Sequence, residues 1–228
     1  EFSPSTLSSL GNEFESGHLQ TRAMDVAYAT VSENAPLAFH RFSTQLLASG
    51  MVAKLVLSQC QLGDQMLVHL ASNMMGEGGL SLKHLDLSGN LLSNDSCLSV
   101  VQLLMSAPAL ETLRLSCNAF GDPILLAMAD VVKQTKLRTL DLSLNDMSNH
   151  GLAHMLRHVG TLHSLDVTGN DRREAEPFVL AIEDFCQSDN LFALVQLRYT
   201  PASWAPAEIK RAEAAWRARR VVMKRQRP

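Results

Sequence analysis

A nine-position pattern, L-x-x-L-x-L-x-x-N/C, recurs five times in this chain and constrains its fold more than any other feature. It runs from Val52 to Cys60, Leu82 to Asn90, Leu110 to Asn118, Leu137 to Asn145 and Leu162 to Asn170. The closing Asn or Cys falls at intervals of 30, 28, 27 and 25 residues, a period that belongs to repeat architectures. A worn sixth copy is expected to begin at Leu191 and to run through Leu194 to Tyr199. The apolar template positions should point inward, so that parallel strands stacked ~4.8 Å apart bury a spine that no single repeat could bury alone. The Asn column should satisfy buried loop backbone as an internal ladder.

A second signal follows each of the first four copies: an apolar residue, a small one, then Asp or Asn. It reads Leu62-Gly63-Asp64, Leu92-Ser93-Asn94, Phe120-Gly121-Asp122 and Met147-Ser148-Asn149. The acid or amide is expected to cap a helix, and Pro123 suits the first helical position after Asp122. Apolar residues then return at helical spacing, as at Leu152, Met155, Leu156 and Val159. Each unit therefore reads as strand, turn, helix.

These five copies resemble the leucine-rich repeat family, and units of this length with a full helix look like its ribonuclease-inhibitor-like class. The resemblance is firm from Val52 to Asn170. It departs from the template at Cys60, which replaces Asn, and at Asp171-Arg172-Arg173, which replaces an apolar turn. It implies an α/β fold: a right-handed solenoid of strand-helix units with a parallel sheet, closed by a helical N-terminal cap and a C-terminal helix. The expected divisions are a flexible, Ser-rich arm at 1–20, a helical cap at 21–50, the repeat domain at 51–200 and a basic C-terminal helix at 201–228. Within the cap, helices are expected from Thr21 to Asn34 and from Pro36 to Ser49. The second should bury Phe39, Phe42 and Leu46 and stop at Gly50. In the C-terminal helix Ile209, Ala212, Trp216 and Met223 form a narrow stripe interrupted by Arg220, so docking is expected to end at Trp216. Removing Arg217 to Pro228 should then leave stability intact.

Composition supports a folded domain. Of 228 residues 46% are hydrophobic and 19% charged, and no apolar run approaches the ~18 residues of a membrane span. Four scattered cysteines, Cys60, Cys97, Cys117 and Cys186, show neither a disulfide framework nor zinc-ligand spacing. An intracellular protein is expected, cytoplasmic or cytoskeleton-associated, with an organellar setting left open because the sequence starts at Glu1. Charge is uneven. From Pro206 onward eight basic residues face two acids, a tail of +6 against −9 elsewhere.

Partner binding is expected on the solvent-facing strand positions and on the tail. The first group is Lys83, Asp86, Glu111, Arg114, Arg138, Asp141, His163 and Asp166. The second is Arg217, Arg219, Arg220, Lys224, Arg225 and Arg227. Signs alternate along Lys83, Glu111, Arg138 and along Asp86, Arg114, Asp141, so a self-neutralising solvated face competes with a recognition face. His150, His154 and His158 share one helical face, which points to solvent rather than to a closed metal site. Gly76-Glu77-Gly78-Gly79 reads as a flexible turn. No nucleophile elbow, phosphate loop or dinucleotide fingerprint is present, so neither enzyme, cofactor, metal nor small-molecule substrate is expected. What the resemblance implies is a non-catalytic protein-protein scaffold, a structural subunit of a larger cytoskeletal or ciliary assembly that does not insert into membranes. Two alternatives accompany it. One is a ribonucleoprotein subunit, for example of an organellar ribosome, with the tail on nucleic acid. The other is actin-filament capping, by architectural likeness to the tropomodulin repeat domain.

Overall fold

The computed structural model describes residues 23–25, 36–48, 50–75, 79–170, 174–188, 194–201 and 204–225. Seven three-residue strands form one parallel sheet in chain order: β1 (Ala23–Asp25), β2 (Lys54–Val56), β3 (His84–Asp86), β4 (Thr112–Arg114), β5 (Thr139–Asp141), β6 (Ser164–Asp166) and β7 (Gln196–Arg198). Helices α1 (Pro36–Ala48), α2 (Asp64–Asn73), α3 (Cys97–Ser106), α4 (Asp122–Val132), α5 (Asn149–Leu156), α6 (Glu176–Gln187) and α7 (Pro206–Arg225) alternate with them, each packing on its neighbours in sequence. This is a leucine-rich-repeat solenoid. The expected arm at 1–20, the turn at Asp171 to Arg173, and Gly76 to Gly78 fall outside the described residues.

The template Leu residues form the spine in exact register. Leu55, Leu85, Leu113, Leu140 and Leu165 pair across β2 to β6, and all are buried. The flanking positions, from Val52 to Leu162 and from Leu57 to Val167, are buried as well. Burial on this pattern is what lets strands of only three residues persist.

The Asn ladder links each of the second to fifth copies to the one before it. Asn145 Oδ1 accepts from Phe120 N at 3.1 Å, while its amide donates to Leu115 O and Leu142 O at 3.0 and 3.1 Å. Asn90, Asn118 and Asn170 repeat the arrangement, and Cys60 N donates to Asn90 Oδ1 at 3.0 Å. The residue before each ladder position takes a left-handed backbone: Gln59, Gly89, Cys117, Leu144 and Gly169. Glycine meets that demand without a Cβ, and at Gly169 a Cβ would also stand 2.5 Å from Leu144 Cδ2.

The helix-start acids act differently from the capping expected of them. Small residues hold the N-cap positions, Gly63 before α2, Gly121 before α4 and Ser148 before α5. Ser148 Oγ accepts from Gly151 N at 3.2 Å, so Ser is the cap there. The acid reaches the next repeat instead. Asp122 accepts from Ser148 N and Oγ at 2.7 and 2.6 Å, Asp64 from Ser93 N and Oγ at 2.8 and 2.7 Å, and Asn94 Oδ1 from Gly121 N at 2.8 Å. Asp64 also accepts from Ser96 Oγ. A Cβ at Gly151 would meet Asp122 Oδ1 at 2.4 Å, which explains a glycine inside the first turn of α5. Burial pushes the Asp64 carboxyl up, but the Ser93 amide and the Ser96 and Ser93 hydroxyls outweigh it and hold it below its ordinary range.

Both ends depart from expectation. Ala23–Asp25 is a strand pairing with β2, not part of a helix, because an edge strand prolongs the sheet over the first Leu layer; the rest of 21–34 lies outside the described residues. The second cap helix is observed, with Phe39, Phe42 and Leu46 buried and Gly50 at φ +61° donating to Leu47 O. At the other end the last strand is centred on Leu197, opposite Leu165. The worn copy therefore begins at Leu194, three residues later than expected, since Leu194 is the buried residue that fills the first layer. Tyr199 stacks on buried Trp204 with centroids 5.1 Å apart, and Phe178 meets both rings edge-on.

Docking of α7 does not stop at Trp216. Trp216 stacks on Phe185, and Arg219, only 2% exposed, lies 4.1 Å over the same ring while donating to Phe185 O at 2.7 Å. Arg211 bonds Glu176 at 2.8 Å and Glu183 at 2.6 Å on α6. Two of the tail's eight cations thus serve the fold.

Five variants test these contacts by urea melts. Leu113→Ala should cost about 2–5 kcal/mol through lost burial and a residual cavity. Asp64→Asn should cost about 1–2 kcal/mol at neutral pH. Because the folded carboxyl is depressed, its contribution is present above the unfolded value near ~3.9 and lost as pH falls through the folded one, so the variant and parent should converge below about pH 4. Arg219→Ala, and a cut after Trp216, should each destabilise by about 1–3 kcal/mol by uncovering the Phe185 ring and removing one of the two donors to Phe185 O, Ser188 Oγ being the other. Arg219→Lys should restore little, since a compact ammonium does not reproduce the planar stack.

Candidate functional site

Parallel pairing places one outward residue per strand in a row: Asp25, Val56, Asp86, Arg114, Asp141, Asp166 and Arg198. A second row runs Ala23, Lys54, His84, Thr112, Thr139, Ser164 and Gln196. Over β1 to β4 these rows line an open groove of ≈ 520 Å³, bounded by Asp25, Lys54, His84, Asp86, Thr112 and Arg114.

The acids of the first row are partly used by the fold. Asp86 Oδ1 accepts from Ser88 N at 3.0 Å, and its Oδ2 faces Arg114 Nη1 at 3.4 Å. Asp141 Oδ1 accepts from Ser143 N and Oγ at 3.0 and 2.7 Å. Asp166 does the same for Thr168 at 3.1 and 2.8 Å and faces Arg198 Nη1 at 3.6 Å. These Asp side chains brace the tight turns after their strands. Arg114 and Arg198, being mostly exposed, form the weak pairs typical of a wet surface.

Lys83, Glu111 and Arg138 behave differently. They alternate in sign as expected, yet among the described residues none of the three forms an ion pair within 4.0 Å, and neither does Lys54. Lys54, Lys83 and Arg138 are exposed along the edge of the sheet where the strands begin. His163 is exposed, with Nδ1 3.0 Å from Thr161 O of its own turn. The face thus pairs two of its acids, Asp86 and Asp166, with Arg114 and Arg198 along one row and presents exposed cations along its edge.

Of the tail candidates, Arg217 is exposed and Arg219 is buried inside the molecule, so Arg219 is withdrawn from the partner-facing set. The side chains of Arg220, Lys224 and Arg225, and the whole of Arg227, lie outside the described residues. His154 and His158 lie with ring centroids 4.5 Å apart, tilted by 31°, and among the described residues no group of three His, Cys, Asp or Glu is placed to hold a metal ion. Burial pushes the Cys186 thiol up to about 11, and burial, with Asp64 and Asp95 nearby, raises that of Cys97, the opposite of nucleophile activation. No described helix is long and apolar enough to cross a membrane.

Two features escaped the sequence reading. Arg198 belongs to the charged row, hidden by the three-residue error in the last copy. On the outer surface Val68, Leu98 and Leu126 occupy equivalent positions of α2, α3 and α4 and are all exposed, with Met75 and Met105 exposed as well. Aligning the repeats on Asp64, Asn94 and Asp122 would have revealed that stripe.

Two family models described as leucine-rich repeat match residues 107–129 and 133–154, and residues 81–103. Among solved structures, leiomodin-1 actin-binding site 2 is similar at 12% identity and a TM-score of 0.42, covering 98% of this chain and 95% of that one. A tropomodulin C-terminal domain from Caenorhabditis elegans has 13% identity and a TM-score of 0.32, covering 96% and 97%. The BIR3–SERK2 complex from Arabidopsis thaliana has 21% identity and a TM-score of 0.28, covering 64% and 68%. The matched segments fall on the second, third and fourth template copies, and strand pairing and the Asn ladder carry the same unit through the first and fifth. The chain carries leucine-rich repeats.

Proposed function

We propose that this chain is a non-catalytic scaffold that recognises a protein partner across its strand face, as a structural subunit of a larger assembly of the cytoskeletal or ciliary kind. The observation that carries the reading is the set of exposed cations, Lys54, Lys83 and Arg138, that stand along the strand face without ion-pair partners among the described residues, Lys54 lining the open groove. Charges left unneutralised on a rigid concave surface steer and select a partner more than they stabilise the fold. The hydroxyls of the face favour the same reading over hydrolysis. Ser143 and Thr168 are held by Asp141 and Asp166, while His163 faces its own backbone, so neither hydroxyl is served by an imidazole base. The tail adds little support for nucleic acid, because Arg211 and Arg219 are engaged inside the molecule.

The test is affinity purification from the protein's own cells, comparing the parent with Lys83→Glu/Arg138→Glu. Both side chains are exposed, so the double variant should melt within a few degrees of the parent. Loss of co-purifying proteins, with binding in the parent that weakens as salt rises, is the expected outcome. An unchanged set of partners would remove the strand face from the interface.

A further inference from the structure

Among the described residues no strand follows β7 at the C-terminal edge of the sheet. Gln196 N donates to His163 O at 2.9 Å and Arg198 O accepts from Val167 N at 2.9 Å, so both residues of β7 face β6. Alternation along the strand turns the amide and carbonyl of Leu197 the other way, to an edge that no described strand pairs. Between β7 and α7 run two grooves that share Trp216. One, of ≈ 320 Å³, is lined by Val195, Gln196, Leu197, Arg198 and Trp216. The other, of ≈ 190 Å³, is lined by Tyr199, Glu213, Trp216 and Arg217. Val195 is exposed and Leu197, Tyr199 and Trp216 are half-buried, whereas the corresponding Leu165 and Val167 are fully covered by the next repeat.

Charge selects the occupant. In the outward row Arg114 lies between Asp86 and Asp141, each an acid on an adjacent strand. Arg198 has Asp166 on one side and open edge on the other, with the Gln196 amide within hydrogen-bond reach of its guanidinium. Arg217 adds a second cation on the α7 wall, and Glu213 is the one acid among the residues lining either groove. An unpaired strand edge, an apolar floor and a rim carrying Arg198 and Arg217 together describe the receiving half of a β-augmentation site.

We propose that this edge receives an extended acidic segment of a partner protein as an eighth parallel strand, with an apolar residue over Leu197 and a carboxylate beside Arg198. Main-chain bonds to Leu197 supply the register, and the apolar residue covers the exposed part of Trp216. The surface is separate from the groove over β1 to β4, so the two readings stand or fall on different variants. The chain's own β1 carries Met24 and Asp25 in the same order, which makes a second copy the competing occupant.

The test uses the full 228-residue chain, isotope-labelled, titrated to millimolar with the acetylated, amidated octapeptide Ser-Ser-Thr-Leu-Asp-Val-Thr-Asp. Amide shifts confined to Val195 through Tyr199 and the Trp216 indole, with slowed exchange at the Leu197 amide, are expected. A peptide N-methylated at alternate residues on the edge facing β7 should lose binding, because it removes the donors while keeping the side chains. Arg198→Glu should weaken the acidic peptide by about tenfold or more and favour a version with Lys in place of Asp. Thermal melting of Arg198→Glu close to the parent guards against misreading an unfolded variant. Absence of shifts at this edge, equal binding of the N-methylated peptide, or indifference to Arg198→Glu would overturn the proposal. So would concentration-dependent self-association of the peptide-free protein that Arg198→Glu abolishes, since that would assign the edge to β1 of a second copy.

Discussion

A repeat of this kind does not satisfy its own backbone. The turn after each strand buries amides that the Asn of the following repeat accepts, and that Asn in turn donates to carbonyls on both sides. Leu layers obey the same rule, since each is covered only when the next strand arrives. Stability is therefore a property of adjacency, shared through nearest-neighbour interfaces rather than held in a central core. Everything distinctive about this chain happens where a neighbour is missing or is made to do a second task.

The Asp or Asn at each helix start illustrates the second task. Its chemistry suits a cap, and local reasoning assigns it to the helix it begins. In the stack, however, the preceding Ser or Gly already occupies the cap, and the carboxylate finds the amide and hydroxyl of the next repeat's Ser within reach. A second ladder thus runs through the helix starts beside the Asn ladder, coupling helix layer to helix layer where the first couples turn to turn. The depressed Asp64 carboxyl registers that coupling as charge-assisted hydrogen bonding.

Missing neighbours explain the ends. On the helix side the C-terminal end is closed by α7, through Trp216 and Arg219 on Phe185 and Arg211 on α6. A guanidinium reads as solvent-exposed in a sequence, yet its flat face can cover an aromatic ring while its edge satisfies a carbonyl. On the strand side no described strand pairs the outer edge of β7. Among the described residues that end is therefore sealed in its helix layer and unpaired in its sheet, and the outward row runs as far as Arg198.

The repeated template determined the architecture by itself, because period, inward Leu and ladder Asn are local patterns whose only common solution is a stack of parallel strands. It also placed the outward residues, since alternation along a strand is fixed once its centre is known. Where the pattern decayed the reading failed in physical terms. Leu191 and Leu194 offer two registers a turn apart, and only burial of Leu194 beside Leu162 chooses between them. The segment at Ala23–Asp25 has no template and becomes a strand because an existing edge is there to pair with. Which outward charges are neutralised, which acid reaches across to the next repeat and which arginine turns inward were decided by tertiary structure, because each depends on distances between residues some thirty apart in the chain.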